Sequence, residues 1–300
     1  MQTNTKIVVT GGAGFIGSTF TKLCLDNGHH VLIVDKLTYA ANENSIDKRA
    51  EFVCKDICDV TVDDIKGYDY IVNFAAETHV DNSITDGRPF IRSNVEGVFN
   101  LLEVSRNSNI KKFIQISTDE VYGDIESGIS DEGYPLKPSS YYSATKASAD
   151  MLVLSANRTY GLPYIITRTC NNFGRGQHPE KFIPKMVQRY VDDEAIPLYT
   201  PGTQIREWIW VEDNCNAIYN IMTSDKVNEI YNIGSGDRHT NKEIIAMFKS
   251  DAKIELVPDR LGHDYRYALD SQKYDNEWGT PVTQKISEFL SVFSAKYFGF

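Results

Sequence analysis

Between Lys112 and Gly123 the chain reads K-F-I-Q-I-S-T-D-E-V-Y-G. Phe113, Ile114 and Ile116 form a short apolar run of strand type, and Ser117-Thr118-Asp119-Glu120 then sets two hydroxyls and two adjacent carboxylates where that strand must end. Adjacent carboxylates can divide acid and base work when their surroundings pull the two pKa values apart. Farther on, Tyr142 and Lys146 stand four residues apart, the spacing that stacks two side chains on one helix face. Taken alone, an Asp-Glu pair suits a solvated loop or a helix N-terminus, and a Tyr/Lys pair suits a surface contact. The elements that carry them decide otherwise.

Those elements begin with the β-branched run Lys6 to Thr10, followed by Gly11-Gly12-Ala13-Gly14-Phe15-Ile16-Gly17 and a helical pattern through Phe20, Leu23 and Cys24. The spacing of Gly11, Gly14 and Gly17 permits a tight turn, close approach of backbone N–H groups to a pyrophosphate, and close helix–strand packing. A second strand, Val31 to Val34, ends in Asp35 about 20 residues past the glycines, where a carboxylate accepts from adenosine ribose hydroxyls. A 2′-phosphate would be repelled there, so the pattern favours NAD over NADP. Beside a lysine ammonium and a nicotinamide cation, the phenolate of Tyr142 is favoured, so its pKa is expected to fall from near 10 and the side chain to act as a general base.

Glu51 to Cys54 and Tyr70 to Phe74 read as third and fourth strands, and Pro89 suits the first turn of a helix with Ile91, Val95, Val98 and Leu102 on one face. The Lys112 strand is fifth and Tyr164 to Arg168 sixth, with a helix through Tyr142 to about Tyr160 between them. Such alternation predicts an α/β fold of Rossmann type, a doubly wound parallel sheet whose ligands sit beyond the carboxyl ends of its strands. After Phe173 prolines and aromatic residues interrupt the alternation. The expected division is therefore an NAD-binding domain over 1–173, to which 211–236 returns, and a smaller substrate-binding domain from 174–210 and 237–300. Asn241 to Lys249 and Lys285 to Phe298 read as amphipathic helices, and Tyr231 to Gly234 as a last strand.

Bulk properties exclude several classes. A formal net charge of −10 without a basic cluster argues against nucleic acid, and no apolar run approaches the roughly 18 residues of a membrane span. The five scattered cysteines and the polar start M-Q-T-N-T-K point to a reducing cytoplasm. Cys54 and Cys58 lack a second Cys/His pair, so no metal is expected and both are read as buried thiols near a strand end.

The glycine turn, Asp35 and Tyr142/Lys146 resemble the extended short-chain dehydrogenase/reductase family, whose members act on nucleotide sugars. Matching stretches run in order from T-G-G-A-G-F-I-G-S at 10–18 through V-D-K-L-T-Y-A at 34–40, D-I-C-D at 56–59, A-A-E-T-H-V-D-N-S-I at 75–84 and S-T-D-E-V-Y-G at 117–123. They continue with Y-S-A-T-K at 142–146, N-N-F-G at 171–174, P-E-K-F-I-P at 179–184, V-E-D at 211–213, Y-N-I-G at 231–234 and D-R-L-G-H-D at 259–264. Thr118-Asp119-Glu120 resembles the 4,6-dehydratase branch; related epimerases carry small residues there, and decarboxylases a serine before the glutamate. A non-catalytic NAD-binding sensor is a remoter alternative, against which the full set of reactive residues argues.

The resemblance implies bound NAD, a dTDP- or UDP-glucose substrate, a 4-keto-6-deoxy product and a homodimer packed through the long helices after strands four and five. It implies that Tyr142, aided by Thr118 and Lys146, takes the C4 hydroxyl proton, that Glu120 takes the C5 proton, and that Asp119 protonates the departing C6 hydroxyl. For the cofactor it implies Gly11, Gly14, Phe15, Ile16, Gly17, Asp35, Lys36, Leu37, Thr38, Asp56, Ile57, Phe74, Ala75, Ala76, Thr78, Asn94 and Asn172, together with Tyr142 and Lys146. For the substrate it implies Thr78, Thr118, Asn171, Lys181, Phe182, Pro197, Tyr199, Arg206, Asn241, Arg260 and His263. Tyr141, Thr78, Glu207 and Leu261 depart from the family pattern and leave the nucleotide base open.

Overall fold

The computed structural model describes residues 4–291. β1 (Lys6–Thr10), β2 (His30–Asp35), β3 (Glu51–Cys54), β4 (Tyr70–Asn73), β5 (Lys112–Thr118) and β6 (Tyr164–Thr169) are the strands expected from the pattern. β7 (Asn171–Phe173), β8 (Ile196–Tyr199), β9 (Ile205–Trp210), β10 (Glu229–Ile233), β11 (Arg238–Thr240) and β12 (Ile254–Val257) follow. The main sheet has seven strands in the order β3-β2-β1-β4-β5-β6-β10, all parallel. The order reverses between β1 and β4, which opens a crevice at their carboxyl ends.

Strand residues alternate between two cores because successive side chains point to opposite faces. Ile7 and Val9 pack with Phe20 of α1 (Phe15–Asp26), whereas Val8 packs with Leu101 and Leu102 on the other face. Short helices α2 (Val80–Thr85) and α3 (Arg88–Ile91) follow β4, and a π-helical turn, Arg92–Glu96, joins α3 to α4 (Gly97–Arg106). That turn corrects the expected single apolar face: its wider winding rotates Ile91 out of phase, leaving it 47% exposed while Val98 and Leu102 are buried. The helix after β5, α5 (Tyr141–Tyr160), ends at Gly161 with φ +71°.

The second part of the chain builds smaller sheets. β9 lies between β7 and β11, and β8 pairs with β12. Together with α6 (Phe182–Val191) and α8 (Asn241–Phe248) they enclose a separate core containing Phe173, Ile183, Trp208, Ile244 and Phe289. The helix α7 (Val211–Thr223) instead packs on α1, and the Gln272–Trp278 helix packs on β10 through Tyr274 and Trp278. Of the amphipathic stretch read over 285–298, Ile286–Ser291 is helical with Ile286, Phe289 and Leu290 buried, and the rest lies outside the described residues. Cys54 and Cys58 are also corrected: the first is exposed at the end of β3, an edge strand with one neighbour, and the second is half-buried in the turn Ile57–Asp59. Among the described residues no helix is long and apolar enough to cross a membrane.

Candidate active site

β5 is buried along its whole length and brings Thr118 to the crevice. The Thr118 hydroxyl accepts from the Glu120 N–H at 3.3 Å and donates to Asp119 Oδ1 at 3.1 Å, so one side chain both starts the next turn and holds its first carboxylate. That turn closes at Gly123, where φ is +72° and a Cβ would stand 2.0 Å from the Lys137 carbonyl oxygen. Only glycine fits there.

Tyr142 and Lys146 arrive from α5, whose start is fixed by a reciprocal cap: Ser143 N–H donates to Ser140 Oγ at 3.1 Å and Ser140 N–H donates to Ser143 Oγ at 3.0 Å. The Lys146 ammonium donates to the Ile116 carbonyl of β5 at 2.5 Å, tying helix to strand. The crevice thus brings together Thr118, Asp119, Glu120, Tyr142 and Lys146 along one cavity wall.

The two carboxylates sit in different fields. Asp119 is 3% exposed, its Oδ2 has no hydrogen-bond partner, and its pKa is raised well above the usual carboxylate range by burial, then by Glu120 and Glu207. Burial raises Glu120 as well, but Arg260, Arg206 and Lys181 oppose the rise. Burial beside other acids thus favours the protonated form of Asp119, while the cations favour ionisation of Glu120. Burial also pushes the Lys146 ammonium down to about 8, against the pull of Asp150. Burial and then the Glu120 and Asp119 carboxylates raise the Tyr142 phenol, and the Thr118 hydroxyl opposes them; the expected lowering invoked the nicotinamide cation as well.

The same cavity continues along the ends of β1 and β2, lined by Gly11, Gly14, Phe15, Ile16, Gly17, Asp35, Lys36, Thr38, Ile57, Phe74, Ala75, Ala76 and Thr78, and by Asn171, Asn172 and Lys181. These residues fit a dinucleotide. Gly11 has φ +70° and a Cβ there would stand 2.6 Å from the Ala75 nitrogen; one on Gly17 would stand 2.2 Å from the Gly11 carbonyl. The N-cap of α1 is Gly14 with no side-chain cap, leaving the helix's first N–H groups for a phosphate. Asp35 accepts from the Ala13 N–H at 3.0 Å and the Leu37 N–H at 2.9 Å, which fixes the carboxylate while leaving lone pairs for hydroxyl donors.

Other expected residues stand back from the cavity. Asn94 holds the Glu77 backbone and Thr145, and Asp56 accepts from the Cys58 N–H. Phe182 packs on Trp208, and Pro197 and Tyr199 lie on β8 with the Tyr199 ring against His263. His263 pairs with Asp259 at 2.6 Å, and Asn241 opens α8. Arg206 directs its guanidinium to the carbonyls of Ile205, Asp264 and Tyr265 and stacks on Tyr267. Glu77, Ser93, His178 and Glu180 line the cavity and were not singled out from sequence. The signal for Glu77 and Glu180 lay inside A-A-E-T-H and P-E-K-F-I-P, where a carboxylate facing a cavity looks like any polar loop residue.

A parallel sheet in this order, a glycine turn under a helix N-terminus, and a Tyr/Lys pair facing two carboxylates define a dinucleotide-binding enzyme site. The chain matches the NAD dependent epimerase/dehydratase family over residues 7–234 and belongs to that family. It is 48% identical over 290 residues to the low-salt glycan biosynthesis protein Agl12 of Haloferax volcanii, covering 91% of this chain and 94% of that one. It is 42% identical over 292 residues to a dTDP-glucose 4,6-dehydratase of Streptomyces niveus, covering 91% and 87%. The crystal structure of DesIV, a dTDP-glucose 4,6-dehydratase from Streptomyces venezuelae with NAD bound, superposes with a TM-score of 0.92 at 39% identity, covering 97% of this chain and 95% of that one.

Proposed function

We propose that this chain removes water from a nucleoside-diphosphate glucose, giving the 4-keto-6-deoxy sugar. The observation that carries the reading is the pair Asp119 and Glu120: adjacent carboxylates at one strand end, one buried among other acids and one facing three cations. Near-full-length similarity to dTDP-glucose 4,6-dehydratases supports it.

The glycine turn, the start of α1 and Asp35 would hold NAD, which when bound would supply the reversible oxidation at C4. Its positive charge favours the Tyr142 phenolate that the protein alone disfavours. Tyr142 accepts the proton of the C4 hydroxyl, with Thr118 and Lys146 beside it. The C4 ketone acidifies C5, Glu120 takes that proton, and Asp119, whose protonated form burial favours, gives its proton to the departing C6 hydroxyl; the hydride lost from C4 would then return to C6 as Glu120 gives its proton back to C5, leaving the 4-keto-6-deoxy sugar and oxidised cofactor. An epimerase needs neither carboxylate role.

Three finer readings accompany this one. The substrate is a dTDP- or UDP-glucose, with Lys181, Arg206, Arg260 and Asn241 on its nucleotide side. The enzyme is a homodimer joined through the outward faces of α4 and α5, where Phe99 and Met151 are exposed beside an apolar groove containing Val95, Ala144 and Leu152. Five free cysteines and an NAD requirement suit a reducing cytoplasm.

The test is mass spectrometry of dTDP-, UDP-, GDP- and CDP-glucose and UDP-glucuronate after incubation with enzyme and catalytic NAD. Loss of one water from one glucose nucleotide is expected, without net reduction of NAD. Loss of carbon dioxide from UDP-glucuronate, or no mass change in any sugar, would overturn dehydration.

A further inference from the structure

Asp81 lies in α2, inside the stretch A-A-E-T-H-V-D-N-S-I, and has no part in the chemistry described above. Its carboxylate joins the main sheet's side of the crevice to the smaller lobe: Oδ1 accepts from Arg260 Nη1 at 3.3 Å and Oδ2 accepts from the Tyr199 hydroxyl at 3.0 Å. Three residues earlier, Thr78 accepts from Lys181 Nζ through its carbonyl at 3.0 Å and its hydroxyl at 3.3 Å. Arg260, Tyr199 and Lys181 are three residues expected to face the substrate. In this structure each is engaged by the loop and helix that follow β4.

The engagement is incomplete. Arg260 Nε is buried and has no hydrogen-bond partner, so the guanidinium retains a donor beyond the one it gives Asp81. The pair is also open to water, with side-chain exposures of 20% for Arg260 and 40% for Asp81, and its 3.3 Å contact uses one nitrogen. Partly exposed, single-contact ion pairs are weak, whereas a phosphate can engage the planar guanidinium fork through two oxygens. A diphosphate therefore outcompetes the carboxylate for the same cation, but it must break that pair and tolerate a neighbouring anion.

We propose that Asp81 is an internal counter-anion that occupies Arg260 and Tyr199 until a nucleoside diphosphate displaces it, so that Asp81 sets substrate affinity by competition. The proposal rests on the nucleotide-sugar reading of the site. It makes Asp81 a determinant of affinity that touches the binding residues and not the reacting atoms. Removing its charge should tighten binding, the opposite of what removing an ordinary binding or orienting residue does.

The experiment is calorimetric titration of the NAD-loaded protein with dTDP and with UDP, for the parent, Asp81→Asn, Arg260→Gln and the double variant. Asp81→Asn is expected to bind the preferred diphosphate about threefold to tenfold more tightly, the scale of losing one partly exposed ion pair and one repulsion. In the Arg260→Gln background the gain should vanish, because the competition acts through that guanidinium. Unchanged or weaker binding by Asp81→Asn, or a gain that persists without Arg260, overturns the proposal and leaves the nucleotide-sugar reading standing. If neither diphosphate binds the parent, that reading falls and this proposal with it.

Discussion

The Thr118 hydroxyl donates to Asp119 Oδ1 at 3.1 Å and leaves Asp119 Oδ2 buried and without a partner, where burial favours the protonated acid. That relationship separates two steps usually inferred together. Asp119→Asn keeps the shape and the Thr118 contact but cannot donate an acidic proton. C4 oxidation should therefore persist while water loss slows about 10²- to 10⁴-fold, the usual contribution of a positioned acid. Rapid-quench mass spectrometry with a dTDP- or UDP-glucose substrate reads both steps. Water loss at the parental rate would remove Asp119 from the role.

Lys146 predicts the high-pH side of the activity profile. Burial holds its pKa near 8, so an ammonium needed in its charged form is lost as pH rises through that value. kcat/KM should fall above about pH 8 in the parent. In Lys146→Arg, where the guanidinium stays charged, that limb should move to higher pH although activity at neutral pH is lower. A limb that stays in place would assign it to a group other than Lys146.

Much of this architecture is legible in the sequence because it is local. The β1–glycine–α1 unit, Asp35 at the end of β2 and the Tyr142/Lys146 spacing each depend on residues a few positions apart. What escapes is set by topology or by long-range partners. Cys54 is exposed because β3 lies at the sheet edge, and Ile91 is exposed because a π-helical turn shifts helical phase. Arg206 turns to backbone carbonyls nearly 60 residues away, and neither its type nor its neighbours encode that choice. At Tyr142 burial and the two carboxylates brought in from β5 raise the phenol, a long-range environment that the local Tyr/Lys spacing does not encode.

Gly17→Ala tests the cofactor half of the site. The added methyl would stand 2.2 Å from the Gly11 carbonyl oxygen, a backbone atom that cannot swing aside. α1 must then lift from the glycine turn, and with it the N–H groups expected to meet a pyrophosphate. The thermal stabilisation that NAD gives the parent should disappear in this variant. A retained NAD-dependent rise in Tm would show that the turn is not the pyrophosphate site.

The exposed apolar residues of α4 and α5 predict the oligomeric state. Phe99 and Met151 are 54% and 48% exposed on helices whose inner faces are fully packed, and an apolar groove runs beside Met151. A second copy covering this face by two-fold symmetry buries the patch on both partners at once. Sedimentation should give a dimer for the parent and a monomer for Met151→Glu, with its NAD affinity retained. A monomeric parent at micromolar concentration would reject the interface.

The deepest ion pair among the described residues lies on the same helix as Lys146. Asp150 accepts from Arg168 Nε at 3.0 Å with the two side chains 0% and 2% exposed, and Arg168 Nη1 reaches the Tyr122 hydroxyl at 3.0 Å. Tyr122 donates in turn to Asn232 of β10 at 2.8 Å, so one guanidinium joins α5, β6, the turn after β5 and the sheet edge. Asp150→Asn leaves that buried cation without its counter-charge, and the expected loss is about 3–5 kcal/mol of stability. Adding Arg168→Met should restore part of it, since an apolar replacement removes the unpaired charge as well. Urea unfolding of the single and double variants decides the matter: a single variant within about 1 kcal/mol of the parent would mean that the field of the surrounding backbone, and not Asp150, keeps Arg168 charged in the core.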